Sequence, residues 1–251
     1  MTHNMKLWRD AFYSIADGSK TIELRLNDEK RQQITVEDTI IFSCTKNNDM
    51  ITAKVKALHK FADFKALYEH LPLDKCGYTK DELKTAHYTD MEQYYSKEQI
   101  TKYGALGIEL CDICAICDVK ENIADSGIFE LLAPSVYNPT PERLSGRAKK
   151  YQANDKAYIY AYSQNGENLG IVVFEIAEQS ATILDIAVKP EQQGKGIGSG
   201  LIDFIFNQFD INTITAETDD DAVRFYKKYG FTIADTITKF DDKRYICICK
   251  K

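Results

Sequence analysis

At 251 residues, with 44% hydrophobic and 28% charged side chains, the chain is long enough for two globular domains, and its composition excludes disorder. Its net charge of −6 is shared between the two halves, so neither half attracts nucleic acid or anionic membrane by bulk charge. No apolar run approaches the roughly 18 residues of a membrane span, and the opening MTHNMKLWRDAFYSIADG lacks a secretory apolar stretch, so a cytoplasmic protein with no membrane partner is expected.

After that opening segment, KTIELRL, TVEDTIIFSC and MITAKVKALHKF are short β-rich runs broken by turn chemistry at Val36-Glu37-Asp38 and Asn47-Asn48-Asp49. They predict a small barrel or curled sheet. DFKALYEHL and KDELKTA space apolar residues at three and four and read as helices, with Asp63 and Thr79 as N-caps. The strand GALGIELCDICAIC closes this half. Its Cys111, Cys114 and Cys117 approach iron–sulfur spacing, but Glu121 stands where the fourth cysteine of that motif belongs. Seven cysteines, an odd number, without an export signal read as reduced thiols; Cys247 and Cys249 with the three above lie in apolar strand-like runs, and no metal is expected.

The polar stretch DVKENIADSG marks a linker over 118–127, between a first domain at 1–117 and a second at 128–251. Beyond it the helical ERLSGRAKKYQ precedes strands KAYIYAYS and NLGIVVFEIA, joined by QNGEN. There follow SATILDIAVKP, a glycine loop, the helix GLIDFIFNQF, the strand NTITAET, the helix DDDAVRFYKKYG, and strands FTIADTITKF and RYICICK.

The loop QGKGIGSG carries glycine at 194, 196, 198 and 200. It lacks the spacing of a nucleoside-triphosphate loop, because Lys195 is followed by Gly196, and that of a dinucleotide loop, because Ser199 and Leu201 stand where the third glycine belongs. It does sit between a strand and an amphipathic helix, where free backbone amides meet an anion. Such glycines also serve for a sharp strand-to-helix turn.

ILDIAVKPEQQGKGIGSGLI closely resembles the acetyl-CoA motif of the GNAT superfamily of N-acetyltransferases: Gln or Arg, two residues, Gly, one residue, Gly or Ala, here Gln193, Gly196 and Gly198. DDDAVRFYKKYGF extends the resemblance through Ala222, Phe225, Tyr226, Lys228, Gly230 and Phe231, with Asp219 where the family often has asparagine. The resemblance implies a mixed sheet with splayed central strands, flanked by helices. Acetyl-CoA would enter as co-substrate, its pantetheine arm pairing with Ile186, Ala187 and Val188, and its pyrophosphate lying over Gln193, Gly194, Lys195, Gly196, Ile197, Gly198 and Ser199. Asp219, Ala222 and Phe225 would complete the cofactor-binding set. Tyr226 falls where many members place the acid that protonates the departing sulfur, although a helix stripe of Ala222, Phe225 and Tyr229 would also suit a packed aromatic. Asp185, Glu175 or a water chain would take the amine proton. Arg143, Arg147, Lys149 and Lys150 would either attract an acidic acceptor or form a solvated helix face.

The first half resembles the ASCH group of the PUA-like superfamily, small β-barrels linked to RNA, through Gly18, Lys20, Glu23 and Arg25 in DGSKTIELRL. The resemblance implies a binding role for RNA or a nucleotide, with Lys20 and Arg25 on phosphate and Glu23 as acceptor. Glu23 stands where hydrolase members carry threonine, which argues against that activity. The alternative for these three residues is a structural ion-pair lattice on one face of a β-ribbon.

The expectation is therefore an α+β protein of two domains: a PUA-like barrel, then a GNAT unit that transfers acetyl to a primary amine in a ternary complex. The alternative is an RNA- or nucleotide-binding regulator whose second half only binds coenzyme A.

Overall fold

The computed structural model describes residues 1–125, 127–239 and 242–251. Residue 126, within the expected linker, and residue 240, which ends FTIADTITKF, lie outside the described residues. Contacts divide the chain into two compact units, Met1–Ala115 with Ser163–Glu167, and Ile116–Tyr162 with Asn168–Lys251. Each combines helices with strands, and the sheet is mixed, with parallel and antiparallel pairs.

The first unit contains β1 (Thr2–Leu7), α1 (Arg9–Ala16), β2 (Ile22–Leu26), β3 (Thr39–Cys44), β4 (Met50–Phe61), α2 (Phe64–His70), α3 (Lys97–Tyr103) and β5 (Ala105–Asp118). Strand periodicity buries alternate residues, so Ile40, Phe42, Ile51 and Val55 are wholly buried. Asp63 caps α2 by accepting from Ala66 N–H at 2.8 Å. KDELKTA is not a helix. Thr79 and Glu82 do make a reciprocal cap, at 3.3 and 2.8 Å, but only a 3-10 turn, Glu82–Lys84, follows, and nothing in it is buried to hold further turns.

The barrel expected of this unit does not close among the described residues. β1 pairs in parallel with β3, β3 pairs antiparallel with β4, and the order is β1-β3-β4-β5 with β2 on β5. Between β1 and β2 a side chain stands in for a ladder: Arg25 Nη2 donates to the Lys6 carbonyl at 3.0 Å.

The second unit contains α4 (Pro141–Gln152), β6 (Ala157–Gln164), β7 (Glu167–Ala177), β8 (Ser180–Val188), α5 (Ile197–Gln208), β9 (Thr213–Thr218), α6 (Val223–Tyr229), β10 (Thr232–Lys239) and β11 (Asp242–Lys250), in sheet order β6-β7-β8-β9-β11-β10. Alternation sorts β6 onto two faces. Ala157, Ile159 and Ala161 join Leu144, Ala148 and Tyr151 of α4. Tyr158 and Tyr160 turn the other way, onto Phe174, Phe204 and Phe209, with the Tyr160–Phe204 centroids 4.8 Å apart. Helices therefore cover both faces, which explains why β7 reads as an unbroken apolar run.

Candidate active site

The sharpest geometry lies where β8 leads into α5. Gly194 and Gly196 have φ of 78° and 88°, a left-handed conformation that costs any residue with a Cβ roughly 1–2 kcal/mol. A Cβ on either would meet nothing within 4 Å, so backbone conformation rather than crowding demands glycine, and the space above the loop is open. Gly196 is the N-cap of α5 and no side chain caps the helix, leaving the first-turn N–H groups, at Ile197, Gly198 and Ser199, without intrahelical partners. A twelve-residue helix thus presents free donors and its positive dipole end to an open cradle. Gln193 turns away from that cradle: its Nε2 donates to the Val188 carbonyl at 3.2 Å and ties the loop back to β8. Lys195 is exposed and donates to Gln192 Oε1 at 2.8 Å.

The strand entering the loop has two special features. β8 pairs in parallel with β9 only from Ser180↔Thr213 to Ile183↔Ala216, although β8 continues to Val188. Ile186, Ala187 and Val188 stay paired to β7 on one edge, opposite Val172, Ile171 and Gly170, and run free of β9 on the other. The second feature is a bulge where the ladder ends: Val173 opposes Asp185 and Phe174 opposes Ile183, leaving Leu184 as the extra residue. This resets the alternation. Without it Asp185 would follow Ile183 to the α5 face; with it Asp185 turns toward α4, on the side of Ala187.

Asp185 is buried and fully engaged. Arg147 of α4 grips it in bidentate fashion, Nε to Oδ2 at 2.6 Å and Nη2 to Oδ1 at 2.8 Å, and the Tyr151 hydroxyl donates to Oδ2. Burial works against the Arg147 charge, but the hydrogen bond to Asp185 and its charge outweigh that and raise the guanidinium pKa. Burial and the same carboxylate raise the Tyr151 phenol. Glu175, the other base candidate, accepts from Asn154 Nδ2 at 2.7 Å and stands opposite Thr182, within the stretch of β8 still paired to β9. Both carboxylates expected as bases are thus committed to hydrogen bonds, one of them to a cation.

Tyr226 is buried on α6, with ring centroids 5.1 Å from both Phe225 and Phe231. Burial, then the nearby charges of Cys247, Asp185 and Asp219, push its phenol well above 10. It holds its proton at neutral pH, as a general acid requires. Among the described residues its hydroxyl has no hydrogen-bond partner. Phe225 lies over the first turn of α5: a Cβ on Gly198 would come within 3.0 Å of its ring. The Asp219 carboxylate accepts from Ala222 N–H at 3.1 Å and lies 3.2 Å from Arg244 Nη1.

A cleft of about 460 Å³ opens on α4, lined by Val136, Arg143, Gly146, Arg147, Lys150 and Tyr151. Four of these fall at i, i+3, i+4 and i+7 on one helix face. That spacing was the sequence signal for the cleft, and it excludes Lys149. The link from Arg147 and Tyr151 to Asp185 spans 38 and 34 positions and left no local trace.

In the first unit Lys20, Glu23 and Arg25 form one ion-paired group: Lys20 Nζ is 2.8 Å from Glu23 Oε2, and Arg25 Nε is 2.8 Å from Oε1, both with bent geometry. Lys20 and Glu23 are buried. Burial pushes the Glu23 carboxyl up, and the charges of Lys20 and Arg25 more than reverse this, leaving its pKa below 4.5. Separately, a cleft of about 590 Å³ collects Lys56, His59, His70 and Lys75 around Glu109, which pairs with Lys56 at 2.8 Å and His59 at 3.0 Å. Sequence reasoning did not find it. Among the described residues no group of three or more His, Cys, Asp or Glu is placed to hold a metal, and no helix is long and apolar enough to cross a membrane.

A two-unit α+β chain whose second unit has a splayed central sheet and an uncapped glycine turn matches two families of known domains. Residues 5–113 match the ASCH domain and residues 155–233 the acetyltransferase (GNAT) domain. The chain therefore joins an ASCH domain to a GNAT acetyltransferase domain. It is 33% identical over 84 residues to the uncharacterized N-acetyltransferase ycf52 of Gracilaria tenuistipitata var. liui, covering 32% of this chain and 42% of that protein. It is 31% identical over 98 residues to the UPF0157 protein YqkA of Bacillus subtilis, covering 38% of this chain and 28% of that protein. The chain thus spans less than half the length of these relatives. Among solved structures, the ribosomal-protein-S18-alanine N-acetyltransferase of Escherichia coli aligns with 55% of this chain and 93% of its own at 15% identity, with a TM-score of 0.44.

Proposed function

We propose that the second unit transfers the acetyl group of acetyl-CoA to a primary amine by direct attack within a ternary complex. The observation that carries this reading is the end of the β8–β9 ladder at Ile183, which leaves Ile186–Val188 with an unpaired edge leading into an uncapped helix N-terminus. The residues present suit the coenzyme: free first-turn amides and the open space over Gly194 and Gly196 would hold a pyrophosphate, and the free edge of β8 would pair with an amide-bearing arm. Bound there, acetyl-CoA supplies an activated thioester carbonyl. Asp219, Ala222 and Phe225 would complete the coenzyme-binding set, and the Phe225 ring against Gly198 supports that reading.

Tyr226 acts as the general acid, giving its phenolic proton to the sulfur as the C–N bond forms and the C–S bond breaks, and regaining it from water. With Asp185 and Glu175 already committed, the amine proton passes to water. Asp185 is a positioning residue that fixes Arg147 and Tyr151 and adds, after Cys247, to the charge near Tyr226. For the first unit we propose binding of RNA or a nucleotide, supported by the ASCH match and the cleft that gathers Lys56, His59, His70 and Lys75 around Glu109; Lys20, Glu23 and Arg25 would shape that unit's polar face.

The test is release of free thiol from acetyl-CoA by the purified chain across a panel of amines, with mass spectrometry of the product. The expected result is an amide heavier by one acetyl group. Tight coenzyme A binding with no release on any amine would favour the regulatory alternative.

A further inference from the structure

The α4 cleft has the charge of a receptor for anions. Arg143, Arg147 and Lys150 line it, and no carboxylate does, in a chain whose net charge is −6. Arg147 is balanced by Asp185, but Arg143 has no carboxylate partner among the described residues, donating only to the Tyr137 and Asn138 carbonyls at 3.1 and 3.2 Å, and Lys150 has none either. Between them lies Gly146, inside a twelve-residue helix where glycine costs roughly 1 kcal/mol relative to alanine. No backbone strain requires it, and a Cβ there would meet nothing within 4 Å, so packing does not explain it. What the glycine does is leave room at the centre of a cationic cleft.

The cleft is also coupled to the proposed chemistry. Its inner wall, Arg147 and Tyr151, bonds Asp185, whose charge bears on the Tyr226 phenol, and Asp185 directly precedes the free edge at Ile186. A molecule held by Arg143 and Lys150 therefore lies one side chain from the strand proposed to present the thioester.

We propose that this cleft selects the acceptor, and that the acceptor is an amine that also carries a carboxylate or a phosphate, the anion resting on Arg143 and Lys150. This deepens the acetyl-transfer reading and rests on it. A guanidinium and an ammonium recognise either anion, the guanidinium in bidentate fashion.

Two matched pairs of amines separate the sources: β-alanine against β-alaninamide for the carboxylate, and O-phosphoethanolamine against ethanolamine for the phosphate, with spermidine as a cationic control. Thiol release should show at least one anionic amine favoured in kcat/KM over its neutral counterpart by about tenfold or more, the size expected of a charge-assisted hydrogen bond. In Arg143→Gln and Lys150→Gln that preference should shrink toward unity through KM, with kcat kept. Neutral or cationic amines used as well as the anionic ones, or a preference untouched by both variants, would overturn the proposal. Equilibrium dialysis of β-alanine and O-phosphoethanolamine without acetyl-CoA reads the cleft by itself. Binding lost in both variants, with no thiol release on any amine, would keep the cleft and refute acetyl transfer. Efficient release on neutral amines alone would keep acetyl transfer and refute the cleft's role. Neither binding nor preference for an anion would overturn the inference outright.

Discussion

Glu23 in the first unit and Asp185 in the second are buried carboxylates each held between two partners, and the two arrangements serve different ends. In the first, Glu23 is flanked by Lys20 and Arg25 from the same stretch of chain, its side chain 5% exposed and Lys20's 10%. The second holds Asp185 between Arg147 and Tyr151 of α4, more than thirty positions away, with Arg147 36% exposed and lining an open cleft. A closed local lattice stiffens a ribbon. The long-range pair, open on one side, ties a helix to a strand and points cations at whatever enters.

The same contrast accounts for what was legible in the sequence. Lys20, Glu23 and Arg25 lie within six residues, so strand alternation alone places Glu23 beside Arg25. The turn at Gly194 and Gly196 was equally readable, because the identity of the residues encodes the left-handed backbone. Asp185 was not. Its direction depends on the bulge at Leu184, for which ILDIA carries no signal, and without the bulge alternation assigns it to the wrong face. The barrel failed for a related reason. Closure needs a long-range pairing of β1 with β2, and the segment holding β1 and α1 gave no alternation clear enough to place either.

The comparison can be pressed by substitution. The largest effect on stability is expected from Glu23→Gln, which strands the buried Lys20 ammonium and should cost the first unit about 3–5 kcal/mol in denaturant unfolding, with little change in thiol release. Glu23 has a lowered pKa, so its contribution is present above the ordinary value of 4.5 and fades as pH falls through the lower folded value. Stability should therefore drop steeply with acid below pH 4.5, and this limb should be missing in the variant.

Asp185→Asn should cost less, about 1–3 kcal/mol, because Arg147 can turn partly to water. Its larger signature should be functional: acceptor KM rises as Arg147 loses its anchor, and the Tyr226 phenol, relieved of a nearby negative charge, titrates at lower pH. Equal stability losses at Glu23 and Asp185, with no change in KM, would erase the distinction between the two groups. The smallest effect is expected from Gly146→Ala, which should stabilise α4 by up to about 1 kcal/mol in thermal unfolding while raising acceptor KM, since the added methyl occupies the cleft. Stabilisation without a KM penalty would mean that the space over Gly146 is unused.

The most direct test of the account is the pH dependence of kcat for acetyl transfer in the full chain and in Tyr226→Phe. The buried phenol should keep the wild-type rate from falling until pH exceeds the ordinary tyrosine value of 10, and the variant, its fold intact because that hydroxyl bonds nothing among the described residues, should lose about a hundredfold or more at neutral pH. A Tyr226→Phe protein that transfers acetyl at the wild-type rate would contradict the assignment of Tyr226 as the acid.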